Sequence, residues 1–179
     1  AHLADPQDEA LLRASAGSYA WAWQNHFSQE HDPSQLLGEQ NLFRYRPCRQ
    51  VLVRSAAGDP ADVLALCQAI LAARTCGVHV TLSLPPETTG YSWLAGEDGV
   101  QVVLEDELHL AGRLAEAGYE RLRLLAPTSP ALRRAANAAH VAVIDTPVLA
   151  NGRLELRWLL HEQAVSRTVH RYGNLIRPA

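Results

Sequence analysis

Between residues 50 and 144, short apolar runs alternate regularly with helical segments, and this alternation constrains the fold more than any other feature. The runs have the length and composition of strands that are buried on both faces of a parallel sheet. They are Val51–Val53, Val78–Leu84, Val100–Leu104, Leu122–Leu125 and Val141–Ile144. The pattern predicts a Rossmann-like, three-layer α/β fold with about five mostly parallel strands and helices on both faces of the sheet.

The helices between these strands carry start and stop signals. Pro60 begins one helix and Ser129-Pro130 begins another, because proline is favoured at the first helical position and serine caps the helix. Gly77 ends the first of these helices, as glycine often does. A further helix is expected over Leu108–Ala117. Each predicted helix therefore connects two consecutive strands of the sheet.

A long amphipathic helix is predicted for the amino-terminal region, over about residues 6–27. Its apolar positions recur every three or four residues, as they do on one face of a helix. They are Leu12, Ala16, Tyr19, Trp23 and Phe27. Trp21 falls off this stripe, which predicts an additional packing surface. A polar linker follows, up to residue 40.

The segments that flank the Rossmann-like region have a different pattern. A short exposed strand is expected around Leu42–Arg46, whereas residues 154–162 fit a short helix and residues 164–172 fit an extended arm. Since an extended arm exposes unpaired backbone groups, we expect it to be mobile or to pair with a second copy of the chain. The predicted units are an N-terminal helix and linker (1–40), a Rossmann-like α/β domain (41–150), and a C-terminal helix and arm (151–179).

Composition excludes several classes of function. All 16 basic residues are arginine, which excludes Schiff-base chemistry and the lysine of a phosphate-binding P-loop. The formal net charge is -3 and no basic stripe is present, so no nucleic-acid partner is expected. No segment is apolar for long enough to span a membrane, and three cysteines, an odd number, fit a reducing cytoplasm. Because methionine is absent altogether, we expect that the chain was excised from a longer protein.

A dinucleotide on this fold would bind at the turn after the first strand, Arg54–Pro60. Such a turn needs glycines so that the backbone can approach the pyrophosphate at the start of the next helix. Here the turn contains only Gly58, and Asp59 would repel a phosphate, so Asp59 is interpreted as a helix N-cap. We therefore expect no cofactor in this chain.

The spacing of cysteines and histidines along the chain does not predict a catalytic or metal-binding site. The residues considered are Cys48, Cys67, Cys76 and the histidine pairs His26/His31 and His161/His170. Cys67 is expected in the core and Cys48 at an exposed position, and neither has a nearby base that would activate a thiol. The paired histidines lie five and nine residues apart, whereas two ligands on one helix face lie three or four apart. No catalytic residue and no metal ligand is predicted.

The segment Gly38–Pro47, together with Val51–Val53, resembles the extended segment that leads into an aldehyde-dehydrogenase-type nucleotide domain. More specifically, the chain is similar to the C-terminal region of the proline utilization A family. These bacterial enzymes combine proline dehydrogenase with L-glutamate γ-semialdehyde dehydrogenase. The tail is similar to that family's terminal motif, although Ala164 replaces a common serine and one glycine replaces a common pair. The matching residues are Glu162, Ser166, Thr168, Gly173 and Asn174.

The resemblance implies a further, degenerate domain of the aldehyde dehydrogenase superfamily, which follows the catalytic dehydrogenase domain. In the family this domain is regarded as non-catalytic. Its terminal motif packs against the catalytic domain and helps to close the cavity through which the intermediate passes. The resemblance implies NAD and FAD for the parent enzyme only. The Gln-x-Cys and Glu-Leu-Gly-Gly segments of a working aldehyde dehydrogenase are absent from this sequence.

Three functions are therefore considered. The first hypothesis is a non-catalytic C-terminal domain of a proline-catabolic enzyme, supporting domain assembly and containment of the intermediate. The alternative is a stand-alone, small NAD-dependent dehydrogenase-like enzyme or a nucleotide-binding module, and a third is a regulatory module that binds a small ligand between the strand ends. The expected partners are the catalytic aldehyde dehydrogenase domain and, through the arm, a second copy of the chain.

Overall fold

A five-stranded sheet forms the centre of the structure, a computed structural model that describes residues 3, 5–56, 60–94 and 96–169. Two further strands form a separate ribbon. In chain order the strands are β1 (Glu39–Pro47), β2 (Gln50–Arg54), β3 (His79–Leu84), β4 (Val100–Leu104), β5 (Arg121–Leu124), β6 (Ala142–Ile144) and β7 (Leu160–Thr168). The central sheet has the order β4-β3-β2-β5-β6, and every pair in it is parallel. The predicted Rossmann-like fold is confirmed.

All but the last of the helices lie at the predicted places. They are α1 (Pro6–Ala22), α2 (Pro60–Cys76), α3 (Glu107–Leu114), α4 (Pro130–Ala138) and α5 (Gly152–Glu155). Ser129 caps α4 by accepting a hydrogen bond from the Leu132 amide at 3.3 Å. Gly77 and Gly118, which follow α2 and α3, adopt φ angles of 71° and 67°, a region that favours glycine. The helix predicted over 108–117 is shorter at its end, because residues after Leu114 form turns.

The amino-terminal helix is confirmed, and its last turn has a distinct geometry. Helix α1 passes directly into a π-helical turn over Trp23–Phe27. Tyr19 and Phe27 of the predicted stripe are buried, whereas Trp21 is 56% exposed. As predicted, Trp21 points away from the packed face of the helix.

Helices cover the sheet on both faces, so the fold has three layers. Because successive strand residues point to opposite faces, Val51 and Val53 of β2 lie in one core cluster and Leu52 lies in the other. The first cluster also contains Tyr19 of α1 and Leu66 of α2. The second contains residues of α3, β5 and α4, among them Leu110, Leu122 and Leu132.

Strand β7 pairs with β1 along its whole length, in an antiparallel register that runs from Glu39 opposite Thr168 to Pro47 opposite Leu160. The strand predicted around residues 42–46 is thus present and longer. The expectation that the arm has no partner within its own chain is wrong. Periodicity reports only local structure, and β1 precedes β7 by more than a hundred residues.

The helix predicted over residues 154–162 is also partly wrong. Helix α5 is a single turn, and a 3-10 turn follows over Leu156–Leu159 before β7 begins. The Cys48 amide donates a hydrogen bond to the Leu159 carbonyl at 2.8 Å. This bond holds Leu159 beside the end of β1, where β7 begins to pair with that strand. Among the described residues, no helix has both the length and the hydropathy needed to cross a bilayer.

Candidate functional site

The carboxyl edge of the sheet is where ligands bind in open α/β folds, at the point where the strand order reverses. In this chain the reversal lies between β2 and β5. Gly58 and Asp59, which were predicted to form a poor phosphate-binding turn there, lie outside the described residues. The neighbouring described residues therefore define the site.

Arg54, the last residue of β2, extends across the carboxyl ends of β3 and β4. Its guanidinium Nη1 donates to the Ser83 hydroxyl at 3.1 Å and to the Glu105 carbonyl at 2.9 Å. The side chain of Glu105 is itself buried and forms an ion pair with Arg113. Burial lowers the pKa of Arg54 even though several carboxylates lie nearby. This half of the carboxyl edge is therefore filled by an internal network of arginines and glutamate.

A pocket of about 530 Å³ lies on the other half of the same edge, at the ends of β5 and β6. Its walls are mainly apolar, and they include Leu124, Pro127 and Val148. The charged residues Arg133 and Asp145 at its rim are paired with each other at 2.8 Å. The pocket is a place where a small ligand between the strand ends could lie.

The described residues of the tail motif lie on the ribbon. Glu162, Ser166 and Thr168 are exposed residues of β7, and Gly173 and Asn174 lie outside the described residues. Glu162 also lines a pocket of about 430 Å³ between the ribbon and the segment around Trp158. The structure therefore brings three motif residues together on one exposed strand.

The cysteines do not have the surroundings of a nucleophile. Cys48 is 2% exposed, so the expectation of an exposed position is wrong; the turn between β1 and β2 packs against Leu159. Burial raises the pKa of Cys48 to about 11 and that of Cys76 to about 12. The pKa of the half-buried Cys67 is also raised by burial. All three thiols are protonated at neutral pH, when they are poor nucleophiles.

One cluster of polar side chains was not predicted from the sequence, because its members are far apart along the chain. Cys48 Sγ lies 3.5 Å from His161 Nε2, and the same nitrogen lies 3.1 Å from Glu120 Oε2. Burial would raise the pKa of Glu120, but hydrogen bonds from His161 and from Arg49 outweigh it and lower that pKa to about 2. Sequence spacing gave no signal, since 113 residues separate Cys48 from His161.

The histidine pairs considered from the sequence have other surroundings. His31 Nε2 forms a hydrogen bond with the His26 carbonyl at 3.0 Å, and the two rings lie 5.0 Å apart beside Tyr45. Burial lowers the pKa of His26. His170, the second member of the other pair, lies outside the described residues.

The fold of this chain is shared with known proteins of solved structure. No protein-family model and no curated protein matches the chain. Histidinol dehydrogenase from Elizabethkingia anophelis matches 81% of this chain and 36% of its own, with 16% identity and a TM-score of 0.55. An NAD-dependent benzaldehyde dehydrogenase from Corynebacterium glutamicum matches 80% of this chain and 34% of its own, with 16% identity and a TM-score of 0.54. The chain has an aldehyde-dehydrogenase-superfamily-like fold.

A more extensive likeness is to proline utilization A. The protein from Corynebacterium freiburgense matches 96% of this chain with 28% identity and a TM-score of 0.63. A variant of the Bradyrhizobium japonicum protein matches 76% of this chain with 18% identity and a TM-score of 0.55. This chain spans only 15% of the length of each of those two chains, as expected for one domain of a larger protein.

Proposed function

We propose that this chain is a non-catalytic C-terminal domain of a bifunctional bacterial enzyme that converts proline to glutamate in the cytoplasm. In this proposal the domain supports assembly with the catalytic aldehyde dehydrogenase domain and helps to contain the intermediate. NAD and FAD would be bound by the catalytic halves of the parent. The observation that carries the proposal is the likeness to proline utilization A, which extends over 96% of this chain at 28% identity.

Two features of the described residues favour a non-catalytic role over the alternative of a small NAD-dependent enzyme. The thiols of Cys48, Cys67 and Cys76 have raised pKa values, which disfavours the thiolate that an aldehyde dehydrogenase needs. The buried guanidinium of Arg54 lies across the ends of β3 and β4, on a surface that a bound dinucleotide would need.

The ribbon supports the assembly role. Among the described residues β7 pairs only with β1, so its other edge leaves backbone N–H and C=O groups available to a further strand. Val165 of β7 is 37% exposed, and the residues on either side of it are exposed as well. A ribbon with such an edge is suited to docking against another domain of the same enzyme.

The assembly role is tested in the full-length parent enzyme. Val165→Asp should slow the coupled conversion of proline to glutamate more than it slows proline dehydrogenation alone, since an opened cavity releases the intermediate. Leu108→Asp is the matched control, because Leu108 is an exposed leucine of α3, away from the ribbon. Equal losses in both assays would indicate misfolding, and no loss in either would refute containment.

The absence of a nucleotide site is tested on the chain itself. Calorimetry with millimolar NAD should show no saturable binding, because Arg54 is held by internal acceptors and the turn contains a single glycine. A micromolar site would instead support the nucleotide-binding alternative.

A further inference from the structure

We propose that Cys48, Glu120 and His161 form a binding site for a divalent metal ion of the zinc type. The three residues meet at the amino edge of the parallel sheet, opposite the edge that carries the nucleotide in dinucleotide-binding folds. Cys48 lies in the turn between β1 and β2, Glu120 immediately precedes β5, and His161 is the second residue of β7. Their ligand atoms all lie within 4.8 Å of one another.

Two of the distances between the ligand atoms are close to those around a tetrahedral ion. Zinc binds sulfur at about 2.3 Å and nitrogen or oxygen at about 2.0–2.2 Å, so tetrahedral ligands lie about 3.3–3.6 Å from one another. In the structure Cys48 Sγ lies 3.5 Å from His161 Nε2, which lies 3.1 Å from Glu120 Oε2. These two distances are within a few tenths of an ångström of the spacing around zinc, and Cys48 Sγ and Glu120 lie within 4.8 Å of each other, so small side-chain movements would complete the site. A thiolate, an imidazole and a carboxylate together favour zinc over magnesium or calcium.

The arrangement differs from that of a proton relay. In a relay the acid and the nucleophile contact different ring nitrogens of the histidine. Here a single nitrogen, His161 Nε2, faces both Cys48 and Glu120, as it would face an ion held between them. The side chains of His161 and Glu120 are 43% and 21% exposed, so water can reach the fourth position.

Arg121 competes with the ion. Its Nη2 lies 3.4 Å from His161 Nδ1, and a guanidinium can only donate, so Nδ1 is an acceptor in the metal-free protein. An ion on Nε2 requires the ring proton to lie on Nδ1, and Arg121 must then turn away. On binding, Cys48 releases its thiol proton to solvent and the thiolate becomes a ligand. Removal of the Arg121 guanidinium should therefore tighten metal binding.

The test is a titration of the full, untagged chain with Co²⁺ under reducing conditions, since cobalt reports both thiolate ligation and tetrahedral geometry. We expect one equivalent to produce a thiolate-to-cobalt charge-transfer band, which excess Zn²⁺ removes. Cys48→Ser should abolish the band, and His161→Gln and Glu120→Gln should weaken binding by more than about tenfold. Arg121→Gln should strengthen it.

Two matched controls come from the same chain. Cys67→Ser removes a thiol elsewhere, and His109→Gln removes a histidine that pairs with a carboxylate, Asp106, at 2.7 Å. Both variants should bind cobalt as the unaltered chain does. A missing charge-transfer band, or a band that survives Cys48→Ser, would overturn the proposal.

A second measurement needs no variant, in case Cys48→Ser does not fold. X-ray absorption at the zinc edge of the zinc-loaded, unaltered chain should show one sulfur neighbour at about 2.3 Å together with nitrogen and oxygen neighbours. If the zinc had only nitrogen and oxygen neighbours and no sulfur neighbour, the proposal would be overturned.

Discussion

Strand β2 is buried from Val51 to Arg54, whereas β7 is exposed from residue 162 to its end. The same contrast separates the whole central sheet from the ribbon. The sheet is parallel and lies between two helical layers, while the ribbon is an antiparallel pair outside those layers. Burial therefore stabilises the sheet, whereas the ribbon depends on backbone hydrogen bonds and on the packing of its near end, at Pro47 and Leu160.

That near end is joined to the core. Leu160 at the start of β7 is buried, and the ring of Tyr45 in β1 contacts Phe27 edge-to-face at 4.8 Å between centroids. The far end, at Glu39 and Thr168, is exposed on both strands. The ribbon is therefore attached at its near end and, through the backbone bridge between His31 and Phe43, at the middle of β1. Because these attachments lie outside the central sheet, perturbations of the sheet and of the ribbon should have separable effects.

The largest effect is expected where the sheet is joined to the segment that leads into β7. Arg123 of β5 and Glu155 of α5 form an ion pair at 3.0 Å, and both side chains are 4% exposed. Arg123→Met should lower the free energy of unfolding by about 3–5 kcal/mol, because it leaves a buried carboxylate without its partner. Urea unfolding measures the loss.

The double variant Arg123→Met/Glu155→Met should regain much of that stability, since a buried ion pair is often replaceable by apolar side chains. Asp145→Asn breaks the exposed pair with Arg133 and serves as the control, with an expected change below about 1 kcal/mol. A double variant as unstable as Arg123→Met would contradict this account.

A smaller effect is expected where α5 packs on α1. A Cβ at Gly152 would lie 2.4 Å from the Ser18 carbonyl oxygen, so the two backbones must separate to admit it. Gly152→Ala should cost about 1–3 kcal/mol in thermal unfolding. Gly17→Ala on α1 is the control, because a Cβ there meets no atom within 4 Å and alanine favours the helix. Equal destabilisation by both changes would refute the role assigned to the contact.

A pH-dependent effect is expected at the junction between sheet and ribbon. The pKa of Glu120 is about 2 in the folded chain, below its ordinary value of 4.5. The depressed pKa contributes stability that is fully present above pH 4.5 and is lost as the pH falls towards 2. Glu120→Gln should therefore flatten the pH dependence of unfolding over this range by about 1–2 kcal/mol, less than the ~3 kcal/mol of the full pKa shift because water screens the partly exposed carboxylate. Chelator in the buffer keeps metal out of the measurement, and an unchanged pH profile would contradict the assignment.

The smallest effect on the sheet is expected from removal of the ribbon's second strand. Deletion of residues 162–179 keeps the buried Leu160 and leaves the central sheet intact. Hydrogen exchange should show lost protection for the β1 amides that face β7, whereas the Phe43 amide, which donates to the His31 carbonyl, and the amides of β2, β3 and β5 should stay protected. Simultaneous loss of protection in both regions would show that sheet and ribbon form one cooperative unit.

The central sheet and its helices could be predicted from the sequence alone. Buried parallel strands must be apolar, and the connecting helices need capping residues such as Ser129, so each element leaves a local pattern. The sequence also indicated the amino-terminal helix and the exposed position of Trp21. The predicted bounds of the strands agree with the observed bounds to within a few residues, because apolar residues give way to polar ones where a strand leaves the core.

Contacts between segments that are far apart along the chain could be identified only in the folded structure. The pairing of β7 with β1 and the meeting of Cys48, Glu120 and His161 depend on how the layers pack. The spacing of apolar residues does not indicate such contacts. It shows which face of a helix or strand is buried, but not which segment covers that face. The ribbon and the cluster have this in common: their partners are set by the packing of distant segments and not by neighbours along the chain.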